Sequence, residues 1–242
     1  MATAPAADQA ALLKLQAIDS KLLGVAHRER TLAEHAKLEE NAKRLADAES
    51  RLAEAEAGQR EANSHLRESE MAVEQVQNKI DKDQSRLDSG SGSSKDLTAL
   101  QTDIAHLTDR RGELEMDELE KMEAVEAADE AVNRVQAELD GLNAESAEIS
   151  RQRDDGLEKL AAERDGLTAE RAGAADGIDA ALLQLYDSLR ERLGGVAAAA
   201  VRSGACDACG QMFSPSELQQ FSRAEEDFVL RCPECDRILI RA

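Results

Sequence analysis

The sequence predicts a mostly α protein, in which a long antiparallel coiled-coil hairpin is followed by a third helix and a small C-terminal β module. Three observations predict this fold. Apolar residues recur every seven positions over two long segments, and no proline interrupts the region between Ala6 and Ser214. One stretch rich in serine and glycine separates the two segments. All four cysteines lie near the C-terminus, in two C-x-x-C pairs.

The composition excludes a large globular core for most of the chain. Among 242 residues there are 50 acids, 30 lysines and arginines, no tryptophan, one tyrosine and three phenylalanines. More than half of the residues are Ala, Glu, Lys, Leu or Arg, which is typical of coiled coils. The formal net charge of −20 disfavours broad electrostatic capture of nucleic acid or of an anionic membrane.

The absence of targeting signals indicates a cytoplasmic protein with no membrane contact. No uncharged apolar stretch approaches the roughly 18 residues that a transmembrane helix needs. Residues 1–8 lack the basic and apolar regions of a signal peptide. In a reducing cytoplasm, we expect the cysteines to be metal ligands or redox thiols rather than structural disulfides.

The first arm is predicted to be one helix over residues 8–88. Its apolar spacing slips in phase between Leu32 and Leu38 and is regular afterwards. The regular line consists of Leu38, Leu45, Leu52, Gln59, Leu66, Val73, Ile80 and Leu87. Three residues further on, a line of mostly small residues accompanies it: Asn41, Ala48, Ala55, Ala62, Ser69, Val76 and Asp83. Together the two lines predict a seam that permits close approach of a second helix.

The second arm is predicted to be a helix over residues 95–172 that keeps one register throughout. Its first line is Leu97, Ile104, Arg111, Glu118, Val125, Val132, Leu139, Ser146, Arg153, Leu160 and Leu167. Its second line is Leu100, Leu107, Leu114, Lys121, Ala128, Val135, Leu142, Ile149, Gly156 and Glu163. Most of these positions are apolar, and a strict period of seven residues predicts left-handed supercoiling.

The stretch between the arms predicts a turn at about residues 88–96, and therefore a hairpin over residues 1–175. Two glycines among four serines favour the turn over the alternative, one continuous helix that dimerises in parallel. Several aspartates cluster around the turn: Asp81, Asp83, Asp88 and Asp96. We interpret them as charged residues that keep the turn soluble. The functional alternative is an acidic tip that the hairpin presents to a basic cleft of a partner.

A third helix is predicted within residues 176–195. Asp176 can cap its start, and Gly194 and Gly195 can stop it. One face carries Ile178, Leu182, Leu185, Tyr186, Leu189 and Leu193. We expect this face to dock on the base of the hairpin.

Residues 196–242 form the cysteine module, whose pattern is C-x2-C-x22-C-x2-C. The pairs are Cys206-Asp-Ala-Cys209 and Cys232-Pro-Glu-Cys235. Each C-x-x-C pair forms a tight turn, called a knuckle. Two knuckles supply four sulfurs, which suits one tetrahedral Zn²⁺ in a structural zinc ribbon. A redox dithiol and an iron site are the alternatives.

The sequence around the cysteines predicts how the module folds. Gly210 after the first pair, and Asp236 at the matching position of the second, suit unusual backbone angles. Ser214-Pro-Ser-Glu217 reads as a capping box that starts a short helix. Residues 228–230 and 238–240 read as short strands, and all three phenylalanines lie in the module, where they form its small core.

The order of these parts resembles a bacterial family of coiled-coil proteins with a C-terminal four-cysteine zinc ribbon, which includes flagellar and sigma-factor-associated members. The segments that carry the resemblance are 94–104, 114–123, 182–190 and 232–239. The family usually has glycine at the position of Asp236. The resemblance implies a cytoplasmic, non-enzymatic protein whose partners include an alternative sigma factor, secretion or flagellar components, or messenger RNA.

These observations predict a zinc-binding adaptor without catalytic residues or a small-molecule substrate, because the sequence shows no recognisable combination of a nucleophile, a general base and a general acid. Its protein partner would be a sigma factor, RNA polymerase or a secretion component. The alternative is a nucleic-acid-binding regulator that uses the arginines of the ribbon: Arg202, Arg223, Arg231, Arg237 and Arg241. A thiol–disulfide enzyme is the third hypothesis.

Overall fold

A computed structural model of the chain describes residues 2–241 and is mostly helical. The helices are α1 (Ala6–Arg30), α2 (Ala33–Asp88), α3 (Ser94–Ala175), α4 (Ala180–Arg192) and α5 (Pro215–Arg223). The strands are β1 (Ala198–Arg202), β2 (Ala205–Cys206), β3 (Leu230–Arg231) and β4 (Ile238–Arg241). The predicted class, a long helical hairpin with a further helix and a small strand region near four cysteines, is confirmed.

The first arm is two helices rather than the predicted single one. Helix α1 ends at Arg30, and the amide of Thr31 donates to the carbonyls of His27 and Arg28, at 3.0 and 3.2 Å. The break falls where the apolar spacing slips in phase. Leu32 lies in this break, and its side chain fills the space that the missing side chain of Gly156 leaves open. The break thus realigns the apolar stripe with α3.

Contacts divide the chain into two compact units, residues 37–150 and residues 1–36 with 151–242. The first unit contains the antiparallel pair of α2 and α3. Across it, Arg51 donates to Glu138 at 2.7 Å, Gln59 to Asp129 at 2.8 Å and Arg111 to Gln77 at 2.6 Å. Partner numbers fall in α3 as they rise in α2, so the arms run antiparallel. The hairpin prediction holds, and the continuous parallel helix does not.

The predicted seam of α3 matches its burial, since every position on the two lines except Glu163 is buried or half-buried. On α2 the small line lies deeper than the leucine line, and it contains buried polar residues: Asn41, Ser69 and Asp83. Asn41 donates through Nδ2 to the backbone carbonyl of Leu142 at 2.9 Å. A buried polar contact to one backbone position favours a single register of the two helices.

The second unit packs α1, the end of α3 and α4 around one apolar core. Leu12 and Leu15 of α1 lie against Leu182, Tyr186 and Leu189 of α4, and all five are buried. The predicted docking face of the third helix is therefore buried. The predicted cap is wrong by three residues, because α3 runs to Ala175 and the side chain of Asp179 accepts the amide of Leu182 at 2.9 Å.

One buried charged cluster crosses this core. The carboxylate of Asp19 is fully buried and accepts hydrogen bonds from Tyr186 Oη at 2.7 Å and Arg171 Nε at 2.7 Å. Arg190 lies 3.4 Å away on the same carboxylate. Burial, and next the hydrogen bond to Asp19, raise the pKa of the Tyr186 hydroxyl far above its usual value. Tyr186 therefore stays protonated and donates to Asp19.

A small sheet of order β2-β1-β4-β3 completes the second unit. Strands β1 and β4 are parallel, and the other two pairs are antiparallel. Strand β4 contains the predicted residues 238–240, whereas the alanine-rich β1 carries no strand signal in the sequence. The N-terminal residues add to this sheet, since Ala4 N donates to Asp227 O at 2.8 Å and Val229 N to Ala2 O at 3.1 Å.

Within residues 2–241, every helix is too polar or too short to cross a lipid bilayer.

We expect Asp19→Asn to lower the free energy of unfolding by about 2–4 kcal/mol, because Arg171 and Arg190 lose their buried counter-charge. Tyr186→Phe should lower it by about 1–2 kcal/mol, since it removes the buried hydroxyl that donates to Asp19 and also lies 3.2 Å from Gln16 Oε1. Urea unfolding followed by circular dichroism measures both. Glu39→Gln, which breaks an exposed pair with Lys43, serves as the control and should leave the midpoint unchanged. Equal effects of all three changes would contradict a special role for Asp19.

Candidate metal centre

The two cysteine pairs sit on two turns with the same backbone geometry. The amide of Gly210 donates to the carbonyl of Cys206 at 2.8 Å, and the amide of Asp236 donates to the carbonyl of Cys232 at 3.0 Å. Gly210 has φ 74° and Asp236 has φ 62°, both in the left-handed region. Glycine adopts this conformation without steric cost, and aspartate tolerates it better than most residues. Each turn therefore directs both thiols of its pair to one side.

The turns bring all four sulfurs together. The Sγ atoms of Cys206, Cys209, Cys232 and Cys235 lie within 4.8 Å of one another. Across the two pairs, Cys206 Sγ lies 3.9 Å from Cys235 Sγ, and Cys209 Sγ lies 3.8 Å from Cys232 Sγ. A tetrahedron with metal–sulfur distances of about 2.3 Å has edges of about 3.8 Å. The four thiols thus fit a tetrahedral metal site, with distances too long for any S–S bond.

The surroundings raise the pKa of some of the thiols and lower the pKa of another. Burial raises the pKa of the Cys206 thiol, and it raises the pKa of Cys232 to about 12. At Cys235 burial also opposes ionisation. Hydrogen bonds from the backbone and side chain of Arg237 and from neighbouring thiols outweigh it and lower the pKa to about 7. Of these three thiols, Cys235 is therefore the most easily ionised, and a bound cation would favour the thiolate forms of Cys206 and Cys232.

The module around the cysteines has the small aromatic core that the sequence predicts. The rings of Phe213 and Phe221 meet edge to face, with centroids 5.1 Å apart. Both pack with Leu230 and Leu239 against the buried Cys206. Helix α5 begins with the predicted capping box, in which Ser214 and Glu217 satisfy each other's backbone amides. Cys206 and Cys232 are buried in this core, whereas Cys209 is exposed.

Asp236 has a second role that the sequence did not reveal. Its carboxylate forms ion pairs with Arg192, at the end of α4, and with Arg231 in β3. The guanidinium of Arg237 donates to the carbonyl of Val196 at 2.9 Å. These contacts join the second knuckle to the chain that leaves α4. Asp236, which takes the left-handed position that Gly210 takes in the first turn, therefore ties the cysteine module to α4.

The arginines proposed for nucleic-acid binding are mostly engaged within the module. Arg202 lies 3.5 Å from Asp207, and Arg231 pairs with Asp236. Arg237 and Arg241 donate to backbone carbonyls, at 2.9 Å for Val196 and 3.0 Å for Glu225. Only Arg223 has no such bond among the described residues 2–241. Four of the five proposed arginines therefore already have partners within the described residues.

Comparison with solved structures supports the fold over the whole chain. A structure from Mycobacterium smegmatis aligns with a TM-score of 0.86 at 29% identity and covers 99% of this chain and 100% of its own. The CT398 structure from Chlamydia trachomatis aligns with a TM-score of 0.68 at 16% identity, over 97% and 98% of the two chains. The HP0958 protein from Helicobacter pylori aligns with a TM-score of 0.53 at 12% identity, over 100% and 99%. The last two likenesses concern the fold alone.

Sequence comparison identifies the family. Uncharacterized proteins from two strains of Mycobacterium tuberculosis are each 30% identical over 156 residues, which is 63% of this chain. The match spans 62% of the length of these relatives. None of the descriptions of these relatives names an enzymatic activity. Residues 15–194 match the model of the CT398-like coiled coil hairpin domain. The chain therefore belongs to the CT398-like coiled-coil hairpin family.

Proposed function

We propose that the protein is a non-enzymatic adaptor whose cysteine module holds one structural Zn²⁺ and docks, together with α4, on a protein partner. The observation that carries this proposal is the approach of four thiols within 4.8 Å of one another. Four sulfur donors in tetrahedral arrangement suit Zn²⁺. A site filled by four protein ligands leaves no open position for a substrate, and this favours a structural role.

The size of the module supports a structural metal. A module of about 40 residues rarely folds without a metal or another cross-link, because it buries too little apolar surface. Its apolar core consists largely of Phe213, Leu230 and Leu239 beside two of the cysteines. The bound ion would supply the remaining stability by joining the two turns.

The connection to α4 supports a rigid docking surface. Ile238 and Ile240 of β4 belong to the same buried core as Tyr186 and Leu189 of α4. Beside the core around Phe213, an open apolar groove of about 260 Å³ lies between α5 and the sheet, lined by Val201, Leu218, Phe221, Ser222, Leu230 and Arg241. An apolar groove on a rigid base suits a protein partner better than a phosphate backbone, which requires free cations. Transcription machinery and secretion components remain the partner classes that we propose.

We expect the purified protein to contain one zinc ion per chain, as measured by inductively coupled plasma mass spectrometry. Cys232→Ser should abolish stoichiometric zinc, because it removes a buried thiol ligand and thus one corner of the tetrahedron. The matched control is Met212→Gln, an exposed residue of the same module, which should retain the ion. Iron in place of zinc, or equal zinc content in both variants, would contradict the assignment.

The affinity for zinc should rise with pH between about 6 and 8. Cys206 and Cys232 have thiol pKa values above the ordinary one, so they carry protons at neutral pH in the metal-free state. Zinc must displace those protons, and acid therefore favours the metal-free form. Competition with a chromogenic chelator over this pH range measures the effect. An affinity that does not change with pH would exclude thiolate ligation.

The adaptor role is tested by affinity capture from the organism's own lysate, with and without nuclease, using a C-terminal tag on a flexible linker. We expect the same partner in both arms and its loss with Cys232→Ser, while Met212→Gln lies outside the groove and retains it. Retention of the partner by Cys232→Ser would contradict docking through the module. Partners that appear only without nuclease would instead support the nucleic-acid alternative.

A further inference from the structure

The hairpin contains one segment in which apolar and charged residues have exchanged places. In the first half of α3, three predicted seam positions carry charge and are half-buried: Arg111, Glu118 and Lys121. Three apolar residues of the same segment lie off the two seam lines, with 62%, 54% and 45% of their surface exposed: Met116, Leu119 and Met122. About half of the surface of each is therefore left uncovered by the hairpin itself. Their apolar surface is available to another molecule.

The three exposed residues form a continuous row, which we call the methionine face (Met116, Leu119 and Met122). A spacing of three residues turns by about 60° around a helix, so the row winds over about 120° of the surface of α3 and extends for about 9 Å at 1.5 Å per residue. Met71 of α2 is 52% exposed and lies at the same level, since Ser69 Oγ contacts Asp117 at 3.3 Å. Single exposed apolar residues are ordinary, but a row of large ones marks an interaction surface.

The charge around the methionine face is strongly acidic. Residues 113–126 contain one cation, Lys121, and a run of acids: Glu113, Glu115, Asp117, Glu118, Glu120, Glu123 and Glu126. Ion pairs engage part of this run, at 2.7 Å for Arg110–Glu113, 3.1 Å for Arg111–Glu115 and 3.1 Å for Lys121–Asp117. Within residues 2–241, the remaining four glutamates have no cationic partner. They place uncompensated negative charge on both sides of the apolar row.

This combination selects among the molecules that could cover the face. A second copy of the same face would bring two acidic runs together, and like charges oppose that contact. An anionic membrane is opposed for the same reason. A cationic helix with one apolar side satisfies both features, because its apolar side covers the row and its lysines or arginines reach the glutamates. Methionine adapts its shape to different apolar partners, which suits such a surface.

We propose that the methionine face binds a basic amphipathic helix of a partner protein. The site lies within residues 37–150 and uses none of the cysteines, so it is a second docking surface beyond the one proposed for the cysteine module. The apolar row supplies the burial of the contact. The exposed glutamates at 120, 123 and 126 supply its charge selectivity and its dependence on salt.

The test is fluorescence-anisotropy titration of the full-length protein with a labelled 18-residue peptide of leucine and lysine, with leucines at i, i+3, i+4 and i+7. Two control peptides accompany it. One has the same composition in scrambled order, and the other has glutamate in place of lysine. We expect binding of the first peptide, at least about tenfold weaker binding of the scrambled peptide and no binding of the acidic one. Equal binding of the ordered and scrambled peptides would overturn the proposal, because charge alone would then explain it.

The matching variant replaces all three residues of the methionine face by glutamine, which keeps good helix propensity at exposed positions. We expect this triple variant to bind the peptide at least about tenfold more weakly, because the apolar row loses most of its burial. Circular dichroism should show unchanged helix content. Met212→Gln removes an exposed methionine elsewhere and should bind as the unmodified protein does.

Two further outcomes separate this proposal from its rivals. Unchanged binding by the triple variant would overturn it, as would a self-association that the triple variant abolishes in sedimentation velocity. Cys232→Ser should retain peptide binding, since the face is remote in sequence from the cysteines. A variant that loses the lysate partner but still binds the peptide therefore tests the cysteine module alone. A variant that keeps the lysate partner but no longer binds the peptide tests the methionine face alone.

Discussion

Two buried polar side chains of α1 connect nearly every part of the unit that contains the cysteines. Gln16 accepts the amide of Ala197 at 2.7 Å and donates to the carbonyl of Gly195 at 3.0 Å, so it holds the chain between α4 and β1. One turn later, the buried Asp19 accepts the hydroxyl of Tyr186 and the guanidinium of Arg171, which belong to α4 and α3. Because burial makes an unpaired carboxylate costly, α1, α3 and α4 can pack around Asp19 only in the arrangement that satisfies it.

This constraint explains how a chain with one tyrosine and three phenylalanines forms an ordered base for the cysteine module. The aromatic residues are divided between two small cores, one around Tyr186 and one around Phe213. Neither core is large, and polar contacts join them: Arg237 binds the carbonyl of Val196, and Asp236 binds Arg192. The turn residue Asp236 thus combines a backbone role at the second knuckle with an ionic link to α4.

The hairpin follows a different principle, in which small and polar residues determine the register. Ala48 and Asn41 are among the most deeply buried residues of α2, while the leucines of the neighbouring line are half-buried. Small side chains let the helices approach closely, and a buried amide that needs the carbonyl of Leu142 penalises other registers. The charged seam positions around Glu118 weaken this packing locally, in the segment whose apolar residues point outward.

The sequence alone determined the features that depend on local chemistry and period. The seven-residue repeat specified both arms and their seam, serine and glycine specified the turn, the capping box at Ser214 specified α5, and the cysteine spacing specified two turns that can share a metal. Only the tertiary structure decided what depends on residues distant in the chain. Strand β1 is a run of alanines that pairs because β4 lies beside it, and the N-terminal residues join the same sheet. Likewise, α4 begins after Asp179 rather than Asp176, because α3 continues to Ala175. These features leave no periodic pattern in the sequence, because the residues that stabilise them are distant in the chain and meet only in the folded protein.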